Sequence, residues 1–385
     1  MRVTRPLRVA FVSHHPHVRM GGQRSMALLI EHLNRLVVEP LAICPGPGEL
    51  TDHLRALDCP VVHIPLHPIK PRTLRQVWAS SRRIRALLQE RAIDIVAPDA
   101  PRDALTCGLA KLGTTTKLVW FVRLTAPDRL DPVLARLADG VIGVSEAARR
   151  RFSGSARMAA RSRTIADGAD LRLFRPPEDR AGLRRALGLP EDRFLLLFVG
   201  QITRPKGILD IVDAMGLLQE APPPGPRPAL IIIGTPHPPT ILDEIAARAR
   251  ERGAAGDVQV LTQREDVYRW MQCADALVSG SHQDTEGLSR VLFEAMACGT
   301  VPIATDIRGN REALAPDTGL LVPEQSPADL ARAVRFLIEH PDRRAALSAG
   351  GVRRAREKFD IERHARAVEA FCLELVRPCG GEGDR

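Results

Sequence analysis

Short apolar runs of strand length alternate with helical segments along the whole chain, in two successive series. The first series of apolar runs is LRVAFV, PLAIC, VVHI, DIVA, KLVWFV and GVIGV, and helices are predicted near 21–36, 73–91 and 128–138. The second series is FLLLFVG, ALIIIG, VQVL, DALVS, VPIAT and GLLVP, with helices predicted near 207–220, 240–253, 287–298 and 327–339. This alternation is typical of βαβ units on a parallel sheet. The sequence therefore predicts an α/β protein with two doubly wound, Rossmann-like domains.

The length of 385 residues supports this division, because a single core of that size is uncommon. A polar, proline-bearing stretch at 167–193 separates the two series and is predicted to hold the hinge. The predicted domains are 1–168 and 169–359. Open α/β sheets bind ligands outside the carboxyl ends of their strands, so we expect the active site in a cleft between the domains.

Composition excludes several classes of protein. Hydrophobic content of 44% and charged content of 26% are those of a soluble globular protein. No apolar run approaches the roughly 18 residues that span a bilayer, and the N-terminus lacks the apolar core of a signal peptide. The seven cysteines include no CxxC pair, which argues against a zinc site and a disulfide framework. A cytoplasmic location is therefore expected.

The chain carries a net charge of +9, with dense basic runs at 82–85 and 148–152. Basic runs without interleaved aromatic residues favour acidic ligands or anionic lipid head groups over nucleic acid. The sequence thus predicts peripheral contact with an anionic membrane surface, at the inner face, and no nucleic-acid partner. A solvated surface on an arginine-rich protein is the alternative explanation.

The segment EGLSRVLFEAMACG, 286–299, places two carboxylates on an otherwise apolar helix. Apolar residues at positions 288, 291, 292, 295 and 296 form one helical stripe, and Gly299 is predicted to end the helix. Glu286 then lies at the helix entrance, where N–H groups and the helix dipole attract anions, and Glu294 lies two turns further on. The alternative is a solvated ladder of ion pairs among Glu286, Arg290 and Glu294.

Two glycine-bearing turns follow predicted strands. Gly21 and Gly22 precede the first helix, where they allow a close approach of the backbone to a ligand or simply turn the chain. In GQITRPKG, 200–207, glycines bracket Arg204 and Lys206. Cations on such a turn suit a diphosphate, although a solvated basic loop would look the same.

Several segments in order resemble the retaining glycosyltransferases of family 4, also called group 1, whose fold is the two-domain GT-B type. They are VGQITRPKG, ALIIIG, the segment from VQVLT to VSGS, and TEGLSRVLFEAMACGTVPIATDIRGNREAL. The pair of glutamates with seven residues between them, Glu286 and Glu294, is that family's hallmark. DGADLRLFRP resembles its hinge signature. FDIERHARAVEAF resembles its C-terminal helix, so a helix at about 360–376 is expected to pack back on the first domain.

The resemblance implies roles for the second domain. Glu294 would bind the ribose of a nucleotide-sugar donor, because a carboxylate can accept two hydrogen bonds. Glu286 would face the transferred sugar, and Lys206 would neutralise the diphosphate. The remaining donor contacts implied are the backbone N–H groups of Gly287, Leu288 and Ser289. Gln201, and Arg264 in the loop 262–266 near the nucleobase, are the other candidates for donor binding.

In the first domain the resemblance implies that Gly22, with Gly21, closes over the phosphates. The family usually has arginine where this chain has Gln201, so Arg204 is expected to supply the second cation of the diphosphate clamp, as a catalytic residue beside Glu286 and Lys206. Histidines that many members carry after the strands DIVA and KLVWFV are absent. The polar residues at those places are Asp99 and Arg123. These two, with His14, are the candidates for the acceptor side.

The resemblance implies a retaining, metal-independent glycosyltransferase with no cofactor. It would move a hexose-type sugar from a nucleotide sugar to a glycan or lipid-linked acceptor, in cell-surface polysaccharide or glycolipid synthesis. The alternative is a degenerate member that binds a nucleotide sugar or a partner without turnover. A nicotinamide dehydrogenase is excluded because no GxGxxG follows the first strand.

Overall fold

A computed structural model describes residues 5–18, 21–262, 264–283 and 286–377. The chain forms two compact units: unit 1 comprises the residues up to Asp167 and those from Ile361 onward, and unit 2 comprises Gly168–Asp360. Each boundary falls one residue from the predicted one. No helix in the described ranges has the length and apolarity needed to cross a bilayer.

Unit 1 is built on a parallel sheet of seven strands in the order β3-β2-β1-β4-β5-β6-β7. The strands are β1 (Leu7–Val12), β2 (Val38–Cys44), β3 (Val61–His63), β4 (Ile95–Pro98), β5 (Lys117–Val122), β6 (Gly140–Gly143) and β7 (Ser162–Thr164). The helices are α1 (Gly21–His32), α2 (Glu49–Ala56), α3 (Leu74–Glu90), α4 (Pro101–Lys111), α5 (Asp131–Leu137), α6 (Glu146–Arg149), α7 (Ala156–Ala160) and α16 (Ile361–Val376). The C-terminal helix thus belongs to this unit.

Unit 2 is built on a parallel sheet of six strands in the order β10-β9-β8-β11-β12-β13. The strands are β8 (Phe194–Val199), β9 (Pro228–Gly234), β10 (Val258–Thr262), β11 (Ala276–Ser279), β12 (Val301–Thr305) and β13 (Leu320–Val322). The helices are α8 (Arg180–Ala186), α9 (Ile208–Glu220), α10 (Ile241–Glu251), α11 (Val267–Cys273), α12 (Arg290–Ala297), α13 (Arg308–Ala313), α14 (Pro327–Glu339) and α15 (Pro341–Lys358).

Both faces of each sheet are covered, which explains the nearly continuous apolar strands. In β8, Phe194, Leu196 and Phe198 join a core with apolar residues of α9, α10 and α14, while Leu195 and Leu197 on the opposite face are also buried. Alternation along a strand sends neighbours to opposite faces, so a strand covered on both sides must be apolar throughout. The predicted fold class is confirmed for both units.

Each sheet also has a switch point, where the strand order reverses direction. In unit 1 it lies between β1 and β4, and in unit 2 between β8 and β11. The loops that leave two such strands run to opposite sides of the sheet, and the crevice between them is the usual ligand site of an open α/β sheet.

Three local predictions differ from the structure. The helix predicted from 287 begins at Arg290, because Ser289 keeps an extended conformation with φ −77° and ψ 107°. The stretch 167–193, predicted as a hinge, lies almost wholly in unit 2 and contains α8, whose Arg184 is bound to Asp275 at 2.7 Å. Strand β7 was not predicted, because its residues Ser-Arg-Thr contain no apolar run.

Candidate active site

At the switch point of unit 2, the turn after β8 and the loop after β11 are in backbone contact. Gly207, which begins α9 with a left-handed φ of 66°, lies so close to Gly280 that a Cβ atom would overlap the Gly280 carbonyl oxygen. The backbone N–H of His282 donates to the carbonyl of Pro205 at 2.9 Å. Glycine is required at position 207 for both reasons, and the contact holds the basic turn against the loop that carries Glu286.

An ion pair joins these two loops. The Lys206 ammonium donates to Glu286 Oε1, and the Ser281 hydroxyl lies 3.3 Å from the same oxygen. The side chains of Lys206 and Glu286 are 23% and 17% exposed, so both remain within reach of a ligand. The structure therefore brings together two residues that are eighty positions apart and that the sequence had placed in one site.

The other glutamate has a different environment. Glu294 is 3% exposed and accepts a hydrogen bond from Arg290 at 2.8 Å, and the Arg290 side chain is itself buried against the ring of Phe293. The solvated ladder is therefore the wrong interpretation of Glu286, Arg290 and Glu294. The Arg290–Glu294 pair exists, but it is internal, and Glu286 is bound to a cation on a different loop.

The segment between the glutamates presents free backbone donors. Gly287, Leu288 and Ser289 are buried and precede the first turn of α12. In the described part of the chain, no hydrogen bond uses the backbone N–H groups of these three residues. Buried N–H groups without a partner are rare in native proteins, and a row of them beside a lysine is suited to an anionic ligand.

The other predicted site residues of unit 2 are exposed on the surface and do not join the Lys206–Glu286 pair. Gln201 follows β8 and is exposed. The Arg204 side chain is 69% exposed and forms an ion pair with Glu244 at 2.8 Å, so it does not contact the Lys206–Glu286 pair. Arg264 is bonded to Asp266 at 3.0 Å, which raises the pKa of Arg264 and lowers that of Asp266. Residue 263 of the predicted loop 262–266 lies outside the described residues.

The switch point of unit 1 holds a buried arginine shared between carboxylates. Arg123, directly after β5, donates to both oxygens of Asp167 at 3.0 and 2.8 Å, and its Nε lies 3.7 Å from Asp99, which follows β4. A Cβ atom at Gly22 would come within 2.9 Å of the Asp99 carboxylate and 3.3 Å of the Arg123 side chain. This close approach accounts for Gly22, while Gly21 is exposed at the start of α1.

His14, in the loop after β1, extends this cluster. Its Nδ1 lies 2.6 Å from Asp103, which is 1% exposed in the first turn of α4. Burial raises the pKa of the nearby Asp99; the charge of Arg123 opposes the rise and that of Asp103 adds to it. Ligand atoms of His14, Asp99 and Asp103 all lie within 4.8 Å of one another. These are ligand types that could hold a divalent cation.

Sequence reasoning missed three residues of these sites. Asp103 and Asp167 supply carboxylates to the unit 1 cluster, and Ser281 shares Glu286 with Lys206. In the sequence, Asp167 stands out only as the first residue of the hinge signature DGADLRLFRP. Asp103 is a usual residue for a first helical turn, and nothing in its neighbours indicated that it would contact His14.

Two open parallel sheets with polar groups at their switch points define a two-domain, doubly wound ligand-binding protein. A family model described as glycosyl transferases group 1 matches residues 179–354, and one described as Glycosyltransferase Family 4 matches residues 20–173. The chain belongs to this family of group 1, family 4-like glycosyltransferases. The predicted family is thus confirmed.

Curated relatives match only in part. A D-inositol 3-phosphate glycosyltransferase of Jonesia denitrificans is 38% identical over 200 residues, which are 50% of this chain and 47% of that protein. A protein of the same name from Thermobispora bispora is 35% identical over 220 residues, 54% of this chain and 50% of that protein. The chain spans about half the length of the curated relatives it matches.

Solved structures match over almost the whole chain. HepE of Anabaena, crystallised with UDP and glucose, has a TM-score of 0.81 and 19% identity, and the match covers 96% of this chain and 100% of HepE. A glycosyltransferase of Rickettsia africae has a TM-score of 0.84 and 17% identity, with 97% and 99% covered. At these identities the likeness concerns the fold, which is the GT-B fold that the resemblance implied.

Proposed function

We propose that this chain transfers a sugar from a nucleotide-sugar donor to an acceptor hydroxyl, with retention of configuration at the anomeric carbon and without a metal ion or other cofactor. The observation that carries the proposal is the row of unpartnered N–H groups at 287–289 beside the Lys206–Glu286 pair. Both lie within the residues that the group 1 family model matches. Hydrogen-bond donors and a cation at one switch point fit a diphosphate.

The chemistry follows from the leaving group. Breaking the anomeric bond leaves additional negative charge on the nucleoside diphosphate, so donors fixed in advance stabilise the transition state more than the ground state. Lys206 and the N–H groups of 287–289 serve this purpose in our proposal. Because Lys206 is paired with Glu286, the incoming diphosphate competes for the ammonium, and Glu286 is released to accept a hydroxyl of the transferred sugar.

Glu294 is proposed to bind the ribose. One of its oxygens accepts a hydrogen bond from Arg290 at 2.8 Å. A carboxylate has further lone pairs and can also accept hydrogen bonds from both ribose hydroxyls. The side chain is almost fully covered, so donor binding must expose it or reach it along its accessible edge.

For the acceptor, we propose a hydroxyl-rich glycan or lipid-linked sugar, as expected in cell-surface polysaccharide or glycolipid synthesis. The unit 1 cluster supports hydroxyl recognition, because it combines three aspartates with one arginine and one histidine. Carboxylates accept hydrogen bonds from hydroxyl groups and repel phosphates. The names of the relatives make D-inositol 3-phosphate the acceptor to test against this choice.

The test is turnover of a panel of nucleotide sugars with an excess of EDTA, in the presence of candidate glycan acceptors or D-inositol 3-phosphate. We expect release of the nucleoside diphosphate and a product whose anomeric configuration, measured by NMR, equals that of the donor. Inversion, or activity abolished by EDTA and restored by one metal, would refute the corresponding part of the proposal. The His14, Asp99 and Asp103 cluster is where such a metal would be sought.

A second candidate is a member that binds a nucleotide sugar without turnover. It is favoured by one observation: Gln201 stands at the family's arginine position, and Arg204 is engaged with Glu244. Saturable binding of a nucleotide sugar by calorimetry, with neither transfer nor donor hydrolysis across the panel, would favour this candidate.

A further inference from the structure

Helix α3 in unit 1 exposes a stripe of large side chains along its outer side. Leu74, Trp78, Arg82 and Arg85 are spaced four, four and three residues apart, so they form one stripe along the helix. Leu74 is 55% exposed and Trp78 is 57% exposed. The opposite side is buried in the unit, so the stripe faces solvent. We call this stripe, with Lys70, Arg72 and Arg75 at its N-terminal end, the α3 surface.

The α3 surface is strongly cationic. No aspartate or glutamate occurs between Asp58 and Glu90, an interval that contains one lysine and five arginines. Among the described residues, no hydrogen bond or ion pair uses the side chains of Lys70, Arg72, Arg75 or Arg82. Their charge is therefore not neutralised within the protein.

The other dense basic run, at 148–152, differs from the α3 surface because carboxylates of the protein pair with its arginines. Arg149 and Arg150 are bonded to Glu146, and Arg151 is bonded to Asp131 at 2.6 Å. That run is neutralised by local carboxylates. Of the two runs that made the sequence look basic, the one on α3 keeps its charge available for a partner.

A shallow cavity of about 280 Å³ lies against the stripe. It is lined by Trp78, Ser81, Arg82, Arg85, Ala86 and Gln89. Arg85 is held in place by hydrogen bonds to the carbonyls of Leu109 and Ala110, at 3.2 and 3.0 Å. Two guanidinium groups beside an indole ring suit a phosphate on the edge of an apolar layer, because arginine binds phosphate oxygens and tryptophan prefers the membrane interface.

We propose that the α3 surface docks this protein on membranes rich in anionic phospholipids. Leu74 and Trp78 enter the head-group region, Arg82 and Arg85 bind lipid phosphates at the cavity, and the remaining cations contact the surrounding negative surface. The exposed Leu74 beside a single tryptophan favours lipid over nucleic acid, because stacking on bases calls for several aromatic residues. This proposal is independent of the reaction that the switch points support.

The first experiment is co-sedimentation of the full chain with vesicles of phosphatidylcholine, alone or with 30% phosphatidylglycerol. We expect binding only to the anionic vesicles. The double variant Arg75→Glu/Arg82→Glu should lower the partition coefficient by about tenfold or more, since each cation near the surface contributes about fivefold. The matched control is Arg343→Glu/Arg356→Glu, two exposed arginines of α15, which changes the net charge equally.

The second experiment uses the protein's own tryptophans. Trp120 and Trp270 are buried, so Trp78 is the tryptophan whose emission responds to the surroundings of the protein. Anionic vesicles should shift the emission to shorter wavelength and protect it from acrylamide. The variant Trp78→Phe should lose this response while it keeps the fold, as checked by circular dichroism.

Three outcomes would overturn the proposal. They are equal binding to both vesicle types, an equal loss of binding in the α15 control, and vesicle binding with no change in Trp78 emission. Preferential binding of a single-stranded oligonucleotide, which displaces the protein from anionic vesicles, would assign the α3 surface to nucleic acid instead.

Discussion

The two sheets place charged side chains at the same topological position and balance them in opposite ways. At the switch point of unit 2, one lysine is paired with one glutamate, and the backbone N–H groups of 287–289 have no hydrogen-bond partner among the described residues. At the switch point of unit 1, one arginine is shared between Asp167 and Asp99, with Asp103 behind them. Unit 2 therefore offers donors to an anion, and unit 1 offers acceptors to hydroxyl groups.

This difference shows what the fold does and does not decide. Parallel strand topology brings the loops of two adjacent strands together at one point of each sheet. The balance of donors and acceptors at that point depends on a few side chains and on whether the backbone there is paired. We therefore expect substitution of the charged residues at the unit 1 switch point to cost mainly stability, and substitution of those at the unit 2 switch point to cost mainly ligand binding.

The largest expected effect is that of Arg123→Ala. It removes the cation that the partly buried Asp99 and the buried Asp167 share, and breaking a buried pair in this way typically costs about 3 to 5 kcal/mol in the free energy of unfolding. Urea denaturation followed by circular dichroism measures it. Arg82→Ala is the control, because that exposed arginine has no partner in the described chain and should change stability by less than about 0.5 kcal/mol. Equal effects would refute the structural role of Arg123.

Gly207→Ala should be next in size. A Cβ there meets the backbone of Gly280 and also requires a left-handed conformation, so we expect a loss of about 2 to 4 kcal/mol in stability. Gly188→Ala measures the cost of the left-handed conformation alone, because Gly188 has a φ of 67° and no described atom lies within 4 Å of the added Cβ. It should cost only about 1 to 2 kcal/mol. The same loss at both positions would mean that the contact between the two loops is loose.

Lys206→Ala tests the anion site of unit 2 directly. Charge-assisted hydrogen bonds contribute about 1.5 to 3 kcal/mol, so affinity for a nucleoside diphosphate should fall by about tenfold to hundredfold. Isothermal calorimetry provides the measurement. Arg204→Ala should have a much smaller effect, because Arg204 is exposed and bonded to Glu244. A loss as large as that of Lys206→Ala would show that Arg204 turns inward with the ligand and completes the clamp.

The two glutamates should separate binding from turnover. Glu294→Gln is expected to weaken nucleoside diphosphate affinity by about tenfold, since one charged hydrogen bond to the ribose becomes neutral. Glu286→Gln should lower kcat more than that affinity, because Glu286 is assigned to the transferred sugar. Calorimetry combined with steady-state kinetics distinguishes them. Identical profiles for both variants would argue against separate roles.

The smallest expected effects concern pH. Burial raises the pKa of Asp99, so the folded state holds that proton more tightly than the unfolded state does. This group therefore contributes stability at low pH, and the contribution is lost as pH rises from about 4 through the raised pKa. At Asp266 the hydrogen bond from Arg264 lowers the pKa, so its contribution is present above about pH 4 and is lost as pH falls.

The free energy of unfolding, measured with urea at a series of pH values, should show these two opposite dependences on pH. Asp99→Asn should remove the fall in stability that accompanies a rise in pH above about 4, and Asp266→Asn should remove the fall in stability that accompanies a drop in pH below about 4. A stability profile of Asp99→Asn parallel to that of the wild type would show that Arg123 offsets the burial of the Asp99 carboxylate.

Much of the architecture could be predicted from local patterns. The helices predicted at 73–91, 207–220 and 327–339 are observed at Leu74–Glu90, Ile208–Glu220 and Pro327–Glu339, because each has one continuous apolar stripe. The start of α12 could not be predicted in this way. Its apolar stripe continues back to Leu288, yet Ser289 is extended and the helix begins only at Arg290. The segment before it packs tightly against α13, because a Cβ atom at Gly309 would come within about 3.0 Å of the carbonyls of Glu286 and Gly287.

By itself, the sequence determined the two doubly wound units and the family, because apolar periodicity and the order of motifs are local properties of the chain. Only the tertiary structure decided the partners of the charges. It paired Lys206 with Glu286, buried Glu294 with Arg290 and engaged Arg204 with Glu244. It left Arg72, Arg75 and Arg82 of the α3 surface without a partner among the described residues. Spacing along a helix indicates which charges could meet. Their burial, and the loops that approach them from distant parts of the chain, decide which pairs form.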